Sequence, residues 1–350
     1  MIEQQTATRR KIVLALQGGG SHGAFTWGVL DRLLDDPTID IIGVTGTSAG
    51  AMNGTVLVDG LVRGGPTEAR AGLRRYWQAV GAMPGFGSLF SNVDGEVAAM
   101  TPLESIPAYN EMMDKSVSPY DLPRSINPLR SMLMELIDFD RLRSQEEIRL
   151  VLCATNARTA RRHIFTNQDI SIDAVLASAC LPQFFRAVEI DGEPYWDGGW
   201  TGNPALGPLV MKMPECDLII VRIDPANRSD TPRTLRDIFE RATEISFNSA
   251  FWLELLTGAL ILRLGQHGHL QQLLERIRFH IIEAGPIMER FPMSSKRNNY
   301  PPMLEYLHDL GRRTGDDWMA QNGDALGHRS TYDLQQLLPV KVWGPEQHSD

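Results

Sequence analysis

The chain has 350 residues, 43% hydrophobic and 22% charged, and its 34 Lys and Arg against 43 Asp and Glu leave a formal net charge of −9. That apolar fraction supports a packed core and excludes general disorder, while the acidic balance argues against a nucleic-acid-binding protein, whose footprint would be basic. Three widely spaced cysteines, Cys153, Cys180 and Cys216, with no C-x-x-C pair, fit a reducing compartment rather than a disulfide framework or a cysteine zinc site.

Residues 1–11 are polar, and the apolar run at 12–16 is too short for a signal peptide, so a cytoplasmic protein is expected. Residues 11–16 read as a strand that ends at Gln17. Three glycines follow, then a helix over about 21–34 with Phe25, Val29, Leu30, Leu33 and Leu34 at spacings of three and four. A second strand at 39–45 runs into Gly46-Thr47-Ser48-Ala49-Gly50 and a helix over 51–62. Strand, glycine turn and helix, given twice, predict parallel strands joined by crossover helices.

Residues 84–128, rich in Gly, Pro, Ser and Asn, are expected to form a long irregular cap over the sheet. A third strand is expected at 148–154 with 163–166 as its hairpin partner, and a helix over 169–180 that stops before Pro182. Asp191-Gly192 is a turn signal between short strands at 188–190 and 195–196, and 218–223 reads as a further core strand. From 231 the composition shifts, and a helical pattern dominates to about 317. The expected division is a catalytic α/β domain at 11–225, a helical extension at 231–320 packed on it, and a polar tail at 321–350. There is no internal repeat or low-complexity segment.

The first glycine turn, Gly18-Gly19-Gly20-Ser21-His22-Gly23, satisfies the G-x-G-x-x-G dinucleotide fingerprint. Small residues there let backbone N–H groups face an anion beside a helix N-terminus. A pyrophosphate and a reaction oxyanion are both such anions, and a plain turn is the third reading. A dinucleotide site needs an acid at the end of the second strand, whereas Asp40 sits at its start, ahead of the 41–45 run. The strand ends instead in G-x-S-x-G, the nucleophile elbow, which lifts the Ser48 hydroxyl above the strand edge at a helix N-terminus. Adjacent parallel strands would bring both turns to one sheet edge, with the Ala49 amide beside the glycine amides.

A serine nucleophile needs a base. None of the histidines after Ser48 sits at a clear strand exit, and the pair His267 and His269 has no third metal ligand, which points to a solvated helix end. Asp197, in Asp197-Gly198-Gly199, ends the proposed hairpin with open space around its carboxylate; taken alone it reads first as a turn aspartate.

These motifs in this order resemble the patatin-like phospholipases, over about 200 residues from 11 to 209. Ala177-Ser178-Ala179-Cys180-Leu181-Pro182, followed by Phe184-Phe185, and Trp196-Asp197-Gly198-Gly199-Trp200 through Asn203-Pro204 carry the likeness further. The resemblance implies a three-layer α/β/α fold with a mostly parallel central sheet and a C-terminal helical region. It implies hydrolysis of lipid carboxylic esters by a Ser–Asp dyad without histidine, cofactor or metal. By position, Ser48 would be the nucleophile, Asp197 the general base, and Gly18, Gly19 and Gly20 with Ala49 the oxyanion hole. One departure is His22, where many members carry Arg or Lys; an unperturbed histidine is mostly neutral near pH 7.

The implied partner is a lipid or small acyl-ester substrate, with no nucleic acid; peripheral membrane contact and a homo-oligomer stay open. An esterase, thioesterase or storage-polyester depolymerase would use the same dyad. The reading from another class is a nucleotide-binding oxidoreductase using Gly18 and the glycines after it. The most apolar stretch, 250–263, is too short and too interrupted by Glu254 to span a membrane, and with Leu253, Leu256, Leu260 and Leu264 on one face it is expected to be buried. An interfacial or lid helix, or a dimer contact, is the alternative.

Overall fold

β1 (Arg10–Leu16) carries Ile12, Leu14 and Leu16 on one face and Val13 and Ala15 on the other, and all five are buried. A strand apolar on both faces needs cover on both sides, and that requirement sets the architecture. The computed structural model describes residues 9–338 except 115–117, 122–126, 226, 230 and 266–267. After β1 come α1 (Gly23–Leu33), β2 (Ile39–Gly46), α2 (Ala49–Ala82), α3 (Gly95–Met100), α4 (Pro107–Asp114), α5 (Pro128–Leu136) and α6 (Phe139–Ser144). Next are β3 (Arg149–Asn156), β4 (Arg162–Thr166), α7 (Ile172–Ser178), β5 (Val188–Ile190), β6 (Glu193–Asp197), α8 (Gly207–Val210) and β7 (Cys216–Arg222). The chain closes with α9 (Leu235–Leu264), α10 (His269–Glu275), β8 (Ile277–Glu283) and α11 (Pro301–Asn322).

The strands form one mixed sheet in the order β5-β6-β3-β2-β1-β7-β8, with β4 also paired to β3. β3, β2, β1, β7 and β8 run parallel to one another, while β4, β5 and β6 add antiparallel pairings at the β3 end. Leu16 is in register with Gly46, so both glycine turns leave the same sheet edge. One face packs Ile12, Leu14 and Leu16 against Phe25 of α1, Leu57 of α2 and Leu307 of α11. The other packs Val13, Ala15 and Ile220 against Leu209 of α8 and Phe251 and Leu255 of α9. The fold is a three-layer α/β/α sandwich with additional C-terminal helices.

Several expectations change. The helix expected over 51–62 continues as α2 to Ala82, because Gly64 and Gly65 bend the axis and Pro66, compatible with a first helical turn, restarts it. The 84–128 stretch is not wholly irregular: Asp94 accepts from the Glu96 and Val97 N–H groups to start α3, and α4 follows. Residues 115–117 and 122–126 of that stretch lie outside the described residues.

The segment at 231–320 supplies a sheet strand as well as helices, since β8 pairs in parallel with β7. Its polar positions concealed it: Arg278 and His280 both face the buried Asp217, at 3.0 and 2.9 Å. The segment at 321–338, expected as polar tail, forms short turns that bury Leu334 and Leu338. Residues 1–8, His267 and 339–350 lie outside the described residues.

α11 crosses α1 at backbone contact. A Cβ on Gly28 would lie 1.9 Å from the His308 carbonyl oxygen, and one on Gly311 2.0 Å from that of Phe25.

The 250–263 stretch departs most from expectation. Phe251, Leu255 and Ala259 form the buried row of α9, whereas Leu253, Leu260 and Leu264 are 61%, 41% and 70% exposed. By length and composition, α9 over Asp237–Leu264 is apolar enough to cross a membrane. Its inner face, however, is committed to the sheet.

Candidate active site

The elbow between β2 and α2 is built by exclusion. A Cβ on Gly46 would lie 2.4 Å from the Gly50 carbonyl oxygen, and one on Gly50 2.1 Å from that of Leu16, so neither position accepts a side chain. Between them Ser48 is held at φ 55°, ψ −122°, a backbone region that L-residues other than glycine rarely adopt. Its N–H is shared between the carbonyl oxygen and the hydroxyl of Ser178, at 3.1 and 3.2 Å. The Ser178 hydroxyl donates in turn to the Cys153 carbonyl at 2.7 Å. Ser48 makes no capping bond with its side chain, which leaves the hydroxyl for the cleft.

Asp197 is the last residue of β6 and is fully buried. Its N–H donates to the Cys180 carbonyl at 2.8 Å, and its Oδ1 accepts from the Gly199 N–H at 2.8 Å. The Ser48 hydroxyl is near enough to act on the carboxylate, yet Oδ2 has no partner in good hydrogen-bond geometry. Burial pushes the Asp197 carboxyl up to about 7, against the opposing pull of Ser48, the Gly199 N–H and Lys296. Both glycines after it are required by close approach: a Cβ on Gly198 would meet the Cys153 carbonyl oxygen at 2.1 Å, and one on Gly199 the Phe247 ring at 2.1 Å.

The first glycine turn sits directly beside the elbow. A Cβ on Gly18 would lie 2.7 Å from the Ser48 Cβ. The Gly18 N–H, expected as an oxyanion donor, is already engaged by Asn203 Oδ1 at 2.6 Å. The N–H groups of Gly19, Gly20 and Ala49 carry no intramolecular acceptor among the described residues. Ala49 begins α2, so its amide adds the positive end of the helix dipole.

His22 is buried, with Nε2 2.7 Å from the Ser295 hydroxyl. Burial, reinforced by Lys296, lowers its pKa to about 3, so it carries no charge at neutral pH. The cation comes from elsewhere in the chain. Lys296 lines the cleft, forms an ion pair with buried Asp224, and places its carbonyl oxygen 2.3 Å from where a Gly20 Cβ would be. Burial works against the Asp224 carboxylate, but Lys296 and the Asn248 amide hold it below the usual carboxylate range. No local motif marks Lys296: it lies in a short turn, Met293–Arg297, brought to the glycines only by the fold. Ser178 and Asn203 lay within motif segments, yet their hydrogen bonds are invisible without coordinates.

The cleft over Ser48 encloses about 430 Å³, with Leu181, Phe184, Phe239, Phe247 and Met293 as apolar wall and Lys296 and Arg297 as cations. The Arg297 guanidinium stacks over the Tyr109 and Phe184 rings, 5.6 Å from each centroid. Such a site suits a substrate with a long apolar part and an oxygen-rich head.

The family profile for patatin-like phospholipase matches residues 14–210, more than half of the chain. Among solved structures, the chain is similar to VipD from Legionella pneumophila, at 14% identity and a TM-score of 0.39, over 90% of this chain and 67% of that one. It is also similar to a chain in the heterodimeric ExoU–SpcU complex from the type III secretion system of Pseudomonas aeruginosa, at 13% identity and a TM-score of 0.29. That match covers 88% of this chain and 52% of the other, so the chain spans only about half the length of that relative. No curated protein sequence matches the chain.

Proposed function

The chain belongs to the patatin-like phospholipase family, and from that premise we propose that it is a lipid acyl hydrolase that cleaves carboxylic esters through Ser48 and Asp197. The observation that carries this reading is the buried Asp197 carboxyl, poised near 7, with an unpartnered Oδ2 beside a serine on a strained elbow. Asp197 takes the Ser48 proton as Oγ bonds to the ester carbonyl carbon. The resulting oxyanion is received by the Gly19, Gly20 and Ala49 amides, with Lys296 adding positive charge nearby. Gly18 contributes space for Ser48 rather than a donor. The tetrahedral intermediate collapses, the C–O bond to the alcohol breaks, and the leaving oxygen takes the proton from Asp197. Water then attacks the acyl-enzyme with Asp197 again as base, and Ser48 leaves reprotonated.

The apolar wall of the cleft favours lipid esters over small polar ones, while thioesters and storage polyesters remain chemically accessible to the same dyad. The dinucleotide reading has less support: β2 ends in the elbow, and the Lys296 carbonyl packs against Gly20 where a pyrophosphate would need room. Mass spectrometry after treatment with a fluorophosphonate probe tests the assignment. A single adduct on Ser48, absent in Ser48→Ala, is expected, with turnover of phospholipid and p-nitrophenyl esters lost in the variant. An unlabelled Ser48 together with a bound dinucleotide overturns it.

A further inference from the structure

The inward side of α9 carries its charged and amide groups as well as its buried apolar row, Phe251, Leu255 and Ala259. Glu244 is buried against Arg228 and Arg241, and Glu254 pairs with Arg162 while accepting the Leu206 and Gly207 N–H groups at 2.7 and 2.9 Å. Asn248 bonds Gln17 and Asp224. The side facing solvent is the apolar one. Among the described residues, no exposed side chain between Ile238 and Leu262 is charged. Phe239, Ile245, Leu253 and Leu260 mark this stripe, and the other exposed positions on it are Ala, Ser or Thr. At about 100° per residue these positions fall within an arc of roughly 120°; from Phe239 to Leu260 the stripe runs roughly 30 Å, and exposed Arg263 on the same arc closes it.

Its few hydroxyls do not reach outward. Ser246, Ser249 and Thr257 each donate to the carbonyl four residues back, at 2.8, 2.6 and 2.7 Å. A helix surface that satisfies its own hydroxyls and shows no charge is matched to an apolar medium rather than to water. The stripe is continuous with the cleft: Phe239, 71% exposed, stands on both, and Phe247 one helical stretch later forms the cleft wall. An apolar hollow of about 490 Å³, lined in part by the exposed Met211, Leu253 and Leu270, lies on the same side.

We propose that the outward face of α9 is a lipid-docking surface, on which the helix lies flat against a bilayer of neutral phospholipid with the mouth of the cleft held at the membrane. The choice of a bilayer as occupant rests on the acyl-hydrolase reading, because the surface that borders the cleft is the one from which a lipid ester must enter. Spanning is excluded by the inner face, whose ion pairs and core contacts hold the helix along the protein. With a net charge of −9 and no exposed cation on the stripe before Arg263 at its end, apolar burial drives the docking.

The test uses sedimentation with phosphatidylcholine vesicles, turnover of vesicle phospholipid, turnover of water-soluble p-nitrophenyl butyrate, and mass in solution. It compares wild type, Ser48→Ala and the double variant Leu253→Glu/Leu260→Glu, with Leu253→Ser/Leu260→Ser as a milder pair. Wild type and Ser48→Ala are expected to bind vesicles alike. The Glu pair is expected to lower the partition coefficient by about tenfold or more, to lose vesicle turnover in step, and to keep soluble-ester turnover within about twofold. Binding should change little between about 0.05 and 0.5 M salt. Vesicle binding that is absent in wild type, unchanged in both pairs, or dependent on anionic lipid overturns the proposal. So does a wild-type dimer that the Glu pair converts to monomer. Soluble-ester turnover that persists in Ser48→Ala sinks the dyad instead and leaves the docking result standing.

Discussion

On the proposed dyad, Asp197 sets the pH at which the site works. As a base it must be ionised, so activity should rise with pH through about 7. The same shift has a stability sign. The folded value lies above the unfolded 3.8, so the native state holds this proton longer; the associated stabilisation is full below 3.8 and is lost as pH rises through about 7. Asp197→Asn is therefore expected to lose at least about a hundredfold in turnover while melting higher than wild type at pH 8 (rounded, ~8). Thermal melts across pH should show that advantage shrinking as pH falls towards 4 (roughly the unfolded value); an advantage that grows on acidification would contradict the assignment. Lys296 acts on the same carboxyl and on Asp224. Lys296→Met leaves Asp224 buried without its cation, a loss of about 3–5 kcal/mol, and moves the pH–rate profile to the alkaline side. Adding Asp224→Asn should restore much of the melting temperature without restoring turnover, which separates the clamp from the field at the oxyanion.

At the scale of elements, the closest contact is the crossing of α1 and α11. Gly28 and Gly311 let the two backbones touch, and α1 is the helix that leaves the first glycine turn. Gly311→Val must drive the helices apart, and we expect a loss of at least about 2–3 kcal/mol, read as a lowered denaturant midpoint. Gly315→Ala, one turn along, meets Arg32 Cβ and Cγ at 3.1 Å, which calls for a shift of a few tenths of an ångström, so a much smaller loss is expected there. This crossing also shows what sequence patterns convey. The strand–glycine–helix units around Gly18 and Ser48 are local, and their turns, order and shared sheet edge were legible. β8 was not, because Arg278 and His280 break its apolar run for the sake of an ion cluster on another strand. The outward face of α9 was misjudged for a related reason: apolar content reveals that a face avoids water, while only packing reveals which face the protein itself covers. Lys296 had no signal at all, since its meaning depends on a contact with Gly20 far back along the chain.

For the whole molecule, the family match ends at residue 210, but the sheet continues through β7 and β8 to Glu283 and the layer over β1 is completed by α11. The segment after residue 210 is thus part of the same folded body as the family domain. A chain cut after Asn227 lacks the outer strand, α9 over one sheet face, and α11 over the other. It should be recovered insoluble or as a molten species, judged by lost near-ultraviolet dichroism and dye binding; a soluble, cooperatively melting fragment with wild-type turnover would count against this unity.

The Gly20–Lys296 contact also imposes a schedule. During synthesis the proposed nucleophile and base both leave the ribosome before Lys296, whose carbonyl packs against the turn proposed to receive the oxyanion, has joined them. Domains are threaded out N-terminus first, at roughly 5–20 residues per second. A half-made copy consequently exposes the chemical groups without the means to use them. Stalled nascent chains ending near residue 230 should ignore a fluorophosphonate probe that labels the released protein. On the proposed dyad, ester cleavage is in this way withheld until the segment that carries Lys296 has folded onto the glycine turn.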